Sequence, residues 1–251
     1  MTLLCVASLF HASVKHVFII QGCKHYQAQP RKLVVRMKSF VITILENEQS
    51  MQVATRCIQS GQKHGLEIKH FGAITPQRNN PIQIAKDKGI PLDGFKEVYS
   101  RFENCLSAFL SHYTLWEYCV RDNTEYTIFE HDAVLVNKIP DYIAYDKVIS
   151  LGKPSYGKFR NPSILGVNPL TSKPYFPGAH AYRINPKGAK ALIERAKKDA
   201  GPTDVFLSLN KFIWLQEFYP WPVEARDSFT TIQKIEGCLA KHSYGETYEI
   251  I

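Results

Sequence analysis

No apolar stretch of the 251-residue chain reaches the roughly 18–20 residues that a membrane-spanning helix needs, so no transmembrane segment is expected. The short apolar run from Leu3 to Phe10 has no positive charge before it and only a poor cleavage signal, so it does not predict secretion. We therefore expect a cytoplasmic protein, which could still act at the inner face of a membrane.

Cysteine patterns typical of metal sites are also missing. The six cysteines include no C-x-x-C pair and no cysteine–histidine cluster with zinc spacing. They are expected to be scattered, reduced thiols, and a zinc-finger class of protein is excluded.

Acidic residues are absent from residues 1–36, which contain five basic ones: Lys15, Lys24, Arg31, Lys32 and Arg36. The net charge of +8 therefore leaves +3 (8 − 5) for residues 37–251, where the two signs are mixed. A nucleic-acid-binding protein normally concentrates its basic residues on one face or stripe. We expect no nucleic-acid partner.

The segment 1–36 also has no clean hydrophobic period, whereas the chain from Met37 onward starts as a protein does on entering its first strand. We predict an N-terminal extension over 1–36, outside the core, and one domain over 37–251. An ordinary N-terminal arm is the alternative interpretation.

The domain alternates predicted strands and helices, which indicates an α/β fold with a mostly parallel sheet. The strands are predicted at 40–45, 68–74, 126–129, 147–151 and 179–184, and the helices at 50–64, 101–120, 186–198 and 202–210. Asn185 should cap the third helix, with Pro186 as its first residue. Residues 75–100 are rich in proline and glycine, which favours a long connection rather than a core element.

Two carboxylates follow the predicted strand 126–129 directly. Glu130 and Asp132 stand two residues apart at the carboxyl end of a parallel strand, where open α/β sheets bind their ligands. Hard oxygen ligands of this kind suit Mn²⁺ or Mg²⁺, which also take phosphate oxygens and water. The pair predicts a divalent-cation site, although acidic turn residues after a strand are a common alternative.

Several motifs in order along residues 40–233 resemble glycosyltransferase family 25, the lipooligosaccharide and procollagen galactosyltransferase family. They are the helical run Ser107–Glu117 with its Ser-His and Leu-Trp-Glu, the strand ending Glu130-His131-Asp132, Gly178-Ala179-His180-Ala181-Tyr182, Lys187-Gly188-Ala189-Lys190 and Pro202-Thr203-Asp204. The resemblance implies a GT-A-like, Rossmann-like single domain, with helices flanking the sheet.

The chain departs from the family's pattern at several positions. His131 stands where the family usually has the middle Asp of Glu-Asp-Asp, and Thr43 replaces a usual Asn in the first strand. Ser50 occupies a position where the family tends to have an Arg, and Ser107-Ala108 replaces a Gly-Cys pair. The absence of this Arg changes the contacts expected with the donor, whereas the outer carboxylates, Glu130 and Asp132, keep the family's acid-x-acid spacing.

The resemblance implies transfer of a hexose, galactose or glucose, from a nucleotide sugar such as a UDP-hexose to a glycan, a lipid-linked sugar or another hydroxyl acceptor. In the chemistry it implies, Glu130 and Asp132 hold the cation at the diphosphate, which neutralises charge on the leaving group. Asp204 is the candidate general base that takes the acceptor's proton. A residue that only favours its helix N-terminus is an equal alternative for Asp204.

Four further residues are candidates for binding or packing. Thr43 and His112 are expected at the donor and His180 at the acceptor, although both histidines could instead be structural. His131 lies between the two carboxylates, so an extended strand would point it to the opposite side, which favours packing.

Other classes of protein also fit the acidic pair. A metal-dependent phosphohydrolase or nuclease uses carboxylates at strand ends, but usually more of them than this chain offers. A catalytically inactive sugar-binding relative is the third possibility. If Asp204 is not the base, Glu224 and Asp227 are the next candidates.

Overall fold

The computed structural model describes residues 37–96, 100–226 and 231–232. The strands in this part of the chain are β1 (Lys38–Thr43), β2 (Lys69–Gly72), β3 (Tyr126–Glu130), β4 (Ala133–Leu135), β5 (Val148–Ser150), β6 (Gly166–Pro169), β7 (Ala181–Ile184), β8 (Gln216–Tyr219) and β9 (Val223–Ala225). The helices are α1 (Glu48–Lys63), α2 (Pro81–Asp87), α3 (Phe102–Asp122), α4 (Pro186–Ala196) and α5 (Thr203–Phe206), with a 3₁₀ turn at Asp93–Phe95.

Seven strands form one mixed sheet in the order β2-β1-β3-β7-β5-β8-β6. β1 pairs in parallel with both β2 and β3, and β5 pairs in parallel with β8. Because only β7 and β6 run antiparallel to their neighbours, five of the seven strands point the same way. The described residues all belong to one compact unit, and the α/β fold with a mostly parallel sheet is confirmed.

The parallel trio brings three strand ends to one edge of the sheet. In the observed register Ile42 is opposite Glu130, and Thr43 is opposite Gly72. The chain therefore leaves β1, β2 and β3 at the same edge, where open α/β sheets bind their ligands.

Side chains alternate between the two faces of the central strands. Tyr126 and Ile128 of β3 belong to the core beneath α3 and α4, whereas Phe129 belongs to the core beneath α1. The buried face of α3 carries the spacing of three and four that predicted it, and its Trp116 is fully buried. Glu130 follows Ile128 on the α3 side because strand side chains repeat every two residues.

Asparagine side chains cap both α4 and α1, and the cap of α4 was predicted. Asn185 accepts a hydrogen bond from the Gly188 N–H at 2.9 Å, and Pro186 is the first residue of α4, as predicted. Asn47 caps α1 in the same way, with the Ser50 N–H donating to it at 2.7 Å. These bonds satisfy N–H groups that have no partner within the helix.

The prediction that residues 75–100 form a long connection rather than a core element was wrong. The segment contains α2 and the 3₁₀ turn, and it buries Ala85, Ile90 and Phe95 in the main core. Pro81 is the first residue of α2 and Asn80 caps it, so the proline starts a helix rather than interrupting the chain. The helix predicted over 202–210 is also different in the structure, because it is much shorter and forms only the single turn α5.

Four strands escaped sequence analysis. β4, β6, β8 and β9 have only three or four residues each. Within the described ranges, no helix is long and apolar enough to cross a membrane. The predicted extension over residues 1–36 lies outside the described residues, so the domain boundary stays a prediction.

Candidate active site

A cleft of 740 Å³ opens at the edge where β1, β2 and β3 end. Its walls come from the end of β1 and the start of α1, the loop after β2, one face of α3, the end of β3, and Thr231–Ile232. The lining includes three of the residues singled out in the sequence: His112, Glu130 and His131. The topology therefore brings the end of β3 and the α3 motif into one site.

Glu130 is held at the cleft by a chain of buried side chains. His112 Nε2 lies 3.1 Å from Glu130 Oε1, and His112 Nδ1 lies 2.9 Å from the Tyr182 hydroxyl. Trp116 Nε1 donates to the same hydroxyl at 2.8 Å. An ionised carboxylate only accepts, so with Glu130 ionised the proton is on Nε2 and Nδ1 accepts from Tyr182.

The electrostatics of this pair favour neutral groups in the absence of a cation. Burial lowers the pKa of His112 to about 3, so its ring is uncharged at neutral pH. Burial, and then the negative charge of Asp204, raise the pKa of Glu130 above the usual carboxyl range. The Glu130 side chain is still 27% exposed, so a ligand in the cleft can reach it. A cation there would favour the charged carboxylate.

His131 faces the opposite side from Glu130, as the strand alternation predicted. Its Nδ1 lies 2.6 Å from the Ser50 hydroxyl, which also accepts from the Ile44 N–H at 3.0 Å. Burial, and then the positive charge of Arg56, lower the pKa of His131 to about 4. His131 thus connects the end of β3 to the N-terminus of α1, and it forms part of the cleft wall.

Asp132 is not among the residues that line the cleft. β3 ends at Glu130, and Asp132 lies in the turn that leads to β4. Its charge acts on Cys57 of α1, where burial and then Asp132 raise the thiol's pKa. Its main-chain carbonyl accepts from the Arg226 N–H at 3.0 Å. The turn therefore separates the two carboxylates that the spacing placed together.

Asp204 lies near Glu130 and His112, since its charge acts on both groups, but it is not one of the cleft-lining residues. The Tyr156 hydroxyl donates to Asp204 Oδ2 at 2.5 Å, and the Val205 N–H donates to Oδ1 at 2.9 Å. Burial raises the pKa of Asp204, although these hydrogen bonds oppose the shift.

Thr43 and His180 are both buried outside the cleft lining. The Thr43 hydroxyl donates to the Val41 carbonyl at 3.1 Å and lies 3.0 Å from His70 Nδ1. Burial lowers the pKa of His180 to about 4, and its ring packs against Gly152, where an added Cβ would lie 2.4 Å from Nε2. The His180 carbonyl accepts from the Glu130 N–H at 2.9 Å, so its main chain helps to fix the end of β3.

Sequence analysis missed several residues that build the site. Ser50 was noted only as a replacement, although it contacts His131. Tyr182 was quoted within a motif without its partners, which are 66 and 70 residues away in sequence. Tyr156 carried no sequence signal at all. Arg101 lines the cleft from the N-terminus of α3, and the sequence had indicated it only as the first residue of that helix.

In open α/β folds, ligands bind in a cleft at the carboxyl ends of the parallel strands, and here that cleft contains a carboxylate. The family model of glycosyltransferase family 25 (LPS biosynthesis protein) matches residues 37–167, just over half of the chain. The chain belongs to this family, as its motifs predicted, and at the level of class it is a glycosyltransferase. No curated protein matches the chain. Asp204 lies outside the matched residues.

Proposed function

We propose that the protein transfers a hexose, galactose or glucose, from a nucleotide sugar to a hydroxyl of a glycan or lipid-linked sugar. The observation that carries this proposal is the cleft that holds Glu130 at the carboxyl ends of β1, β2 and β3, in a chain of a glycosyltransferase family. A UDP-hexose is the expected donor, and the GT-A arrangement of donor over strand ends is the expected geometry. A lipid-linked acceptor would bring the cytoplasmic enzyme to the inner face of a membrane.

A divalent cation, Mn²⁺ or Mg²⁺, is part of the proposal. Among the described residues, no three His, Cys, Asp or Glu side chains form a group that could hold a metal. Glu130 nevertheless fits a cation that takes its other ligands from diphosphate oxygens and water, as these ions usually do. When bound, the cation would neutralise charge that develops on the leaving diphosphate. Asp132 would join it only if its side chain turned toward the cleft.

The protein's own residues orient Glu130 for this role. When Glu130 is ionised, His112 donates to one carboxylate oxygen, Tyr182 fixes the imidazole, and Trp116 fixes Tyr182. All three side chains are at least 99% buried, so the imidazole that contacts Glu130 is already in place before substrate binds. Preorganised groups of this kind need no rearrangement during the reaction.

Asp204 is the proposed general base. A hydroxyl acceptor must lose its proton as it attacks, and a carboxylate with a raised pKa accepts a proton more readily than an ordinary one. Tyr156 would orient the carboxylate through its 2.5 Å hydrogen bond. Glu224 is a weaker candidate because it pairs with Lys153 and Arg226, which stabilise its charge. Asp227, the other alternative, lies outside the described residues.

A thermal-shift screen of nucleotide sugars tests the proposal. A ligand that binds only the folded protein stabilises it by RT ln(1+[L]/Kd), so one donor should raise the melting temperature, and more strongly with Mn²⁺. The Glu130→Gln variant should lose the part of this rise in melting temperature that depends on Mn²⁺. If a nucleic acid or a phosphomonoester stabilised the protein and no nucleotide sugar did, the phosphohydrolase or nuclease alternative would replace the transferase.

A further inference from the structure

Ser107 differs from the other serine and threonine residues of its helix. On α3, the Ser111 hydroxyl donates to the Ser107 carbonyl at 2.8 Å, and Thr114 donates to the Leu110 carbonyl at 2.8 Å. Such bonds to the preceding turn are the usual partners of serine and threonine within helices. The Ser107 hydroxyl is buried, the residue is only 2% exposed, and none of the described residues accepts from or donates to it.

Ser107 also belongs to the wall of the cleft. A buried hydroxyl without a partner is unfavourable, and native structures rarely leave one in place without a reason. Rotation about one side-chain torsion changes the direction of this hydroxyl, so a polar ligand group that enters the cleft can supply the missing hydrogen bond. The burial, the absence of a partner and the position together indicate a ligand contact.

The position along α3 indicates which part of a ligand is contacted. Ser107 precedes His112 by five residues, or about 7.5 Å of helix axis, on the side away from Glu130. One turn further on, Ser111 accepts from the Ile74 N–H at 2.9 Å, which fixes this face of α3 beside the loop after β2. Asp204 lies on α5, whose Phe206 packs against Phe109 and, four residues beyond His112, against Trp116.

We propose that the Ser107 hydroxyl hydrogen-bonds the nucleoside of the donor, through a ribose hydroxyl or a base carbonyl. The inference rests on the proposed function. With the diphosphate at Glu130 and the hexose toward Asp204, the nucleoside extends along α3 past Ser107. The cleft residues one turn before and one turn after Ser107, Asn104 and Ser111, are uncharged, and the charged Arg101 lies further away, at the N-terminus of the helix. The immediate surroundings of the hydroxyl therefore suit a neutral ligand group better than a phosphate. Ser107 thereby contributes to recognition of the nucleoside.

Calorimetric titration of the full chain tests this contact with three probes: UDP, UDP-galactose and inorganic pyrophosphate. If the protein prefers another base, ADP, CDP or GDP and the corresponding nucleotide hexose replace the two uridine compounds. Ser107→Ala should weaken the nucleoside diphosphate and its sugar equally, by roughly tenfold, since both share the nucleoside. Affinity for pyrophosphate should not change. Thr114→Val is the matched control, because it removes a hydroxyl of the same helix that is not part of the cleft lining.

The outcomes separate this inference from the function on which it rests. Equal affinities of Ser107→Ala and the wild type would overturn the contact and leave the transferase intact. A loss confined to the nucleotide sugar, or one shared with pyrophosphate, would also overturn it, because the contact would then be with hexose or phosphate. A wild-type protein that binds no nucleoside diphosphate or nucleotide sugar would overturn the proposed function itself, and the inference with it.

Discussion

Replacing Tyr182 by phenylalanine removes one oxygen atom from the centre of the active-site network. The Tyr182 ring is fully buried, and its hydroxyl accepts from Trp116 Nε1 at 2.8 Å and contacts His112 Nδ1 at 2.9 Å. Phenylalanine fills the same space, so the packing term should change little. What changes is that two buried polar groups, His112 Nδ1 and the Trp116 indole N–H, lose their partner.

The expected loss in the free energy of unfolding follows from those two groups. A buried polar group left without a partner costs about 1–3 kcal/mol, so Tyr182→Phe, which leaves two such groups, should destabilise the protein by about 2–6 kcal/mol. Urea unfolding measures this directly. Tyr142→Phe is the control, because Tyr142 is 80% exposed and should change stability by less than about 0.5 kcal/mol.

A double-mutant cycle assigns the loss to the network. Once Trp116 is replaced by phenylalanine, there is no indole N–H left that needs the Tyr182 hydroxyl as its acceptor. The double variant should therefore lose less free energy of unfolding than the sum of the losses in the two single variants. Residues in one hydrogen-bonded network typically couple by about 0.5–3 kcal/mol. If Tyr182→Phe cost no more than the control, or if the two changes were additive, the network would not hold His112 as described.

Three further predictions concern catalysis and acid stability. Glu130→Gln and Asp132→Asn should each keep the fold and lower the transfer rate by roughly a hundredfold or more if both hold the cation, and near-normal turnover of Asp132→Asn would remove Asp132 from the site. Asp204→Asn should lower the single-turnover rate but leave donor affinity unchanged, because a base acts on the acceptor, and an unchanged rate would mean that Asp204 only favours its helix. Burial lowers the pKa of His112 to about 3 and of His180 to about 4, against 6.5 unfolded, so the contribution of each histidine to stability should fall as pH drops below 6.5, by about 2 kcal/mol at pH 5. Protonation of Glu130 and Asp204, whose pKa burial raises, has the opposite effect, so the measurement compares urea midpoints of the wild type and His180→Gln between pH 8 and pH 5, and an identical pH dependence of the two proteins would contradict the prediction.

Local patterns predicted the parts of the fold that local chemistry determines. The β1–α1–β2 unit, α3 and the Asn185 cap all follow from periodicity or from residues within one turn of each other. α2 was missed for a local reason as well: Pro81 was interpreted as a breaker, although proline is favoured at the first position of a helix. The short strands β4 and β9 depend on pairing with each other, which no local pattern encodes.

The site was predicted less completely because its geometry depends on where a strand ends and on distant contacts. The spacing of Glu130 and Asp132 puts both on one side only while the chain stays extended, and β3 ends at Glu130. The alternation did hold for His131, which faces Ser50. Tyr182 and Tyr156 reach the site from distant segments, so only the tertiary structure could reveal their roles.

Acceptor-dependent release of nucleoside diphosphate from a nucleotide sugar tests the central claim most directly. UDP-galactose and UDP-glucose would be incubated with Mn²⁺ and a panel of glycoside and lipid-linked sugar acceptors, with the wild type and Glu130→Gln side by side. The account predicts that the wild type releases UDP only when an acceptor is present, and that Glu130→Gln is slower by at least about a hundredfold. Equal rates for the two proteins would contradict the assignment of Glu130 to the reaction. If the wild type released UDP at the same rate with and without an acceptor, the claim that it transfers a sugar would be contradicted.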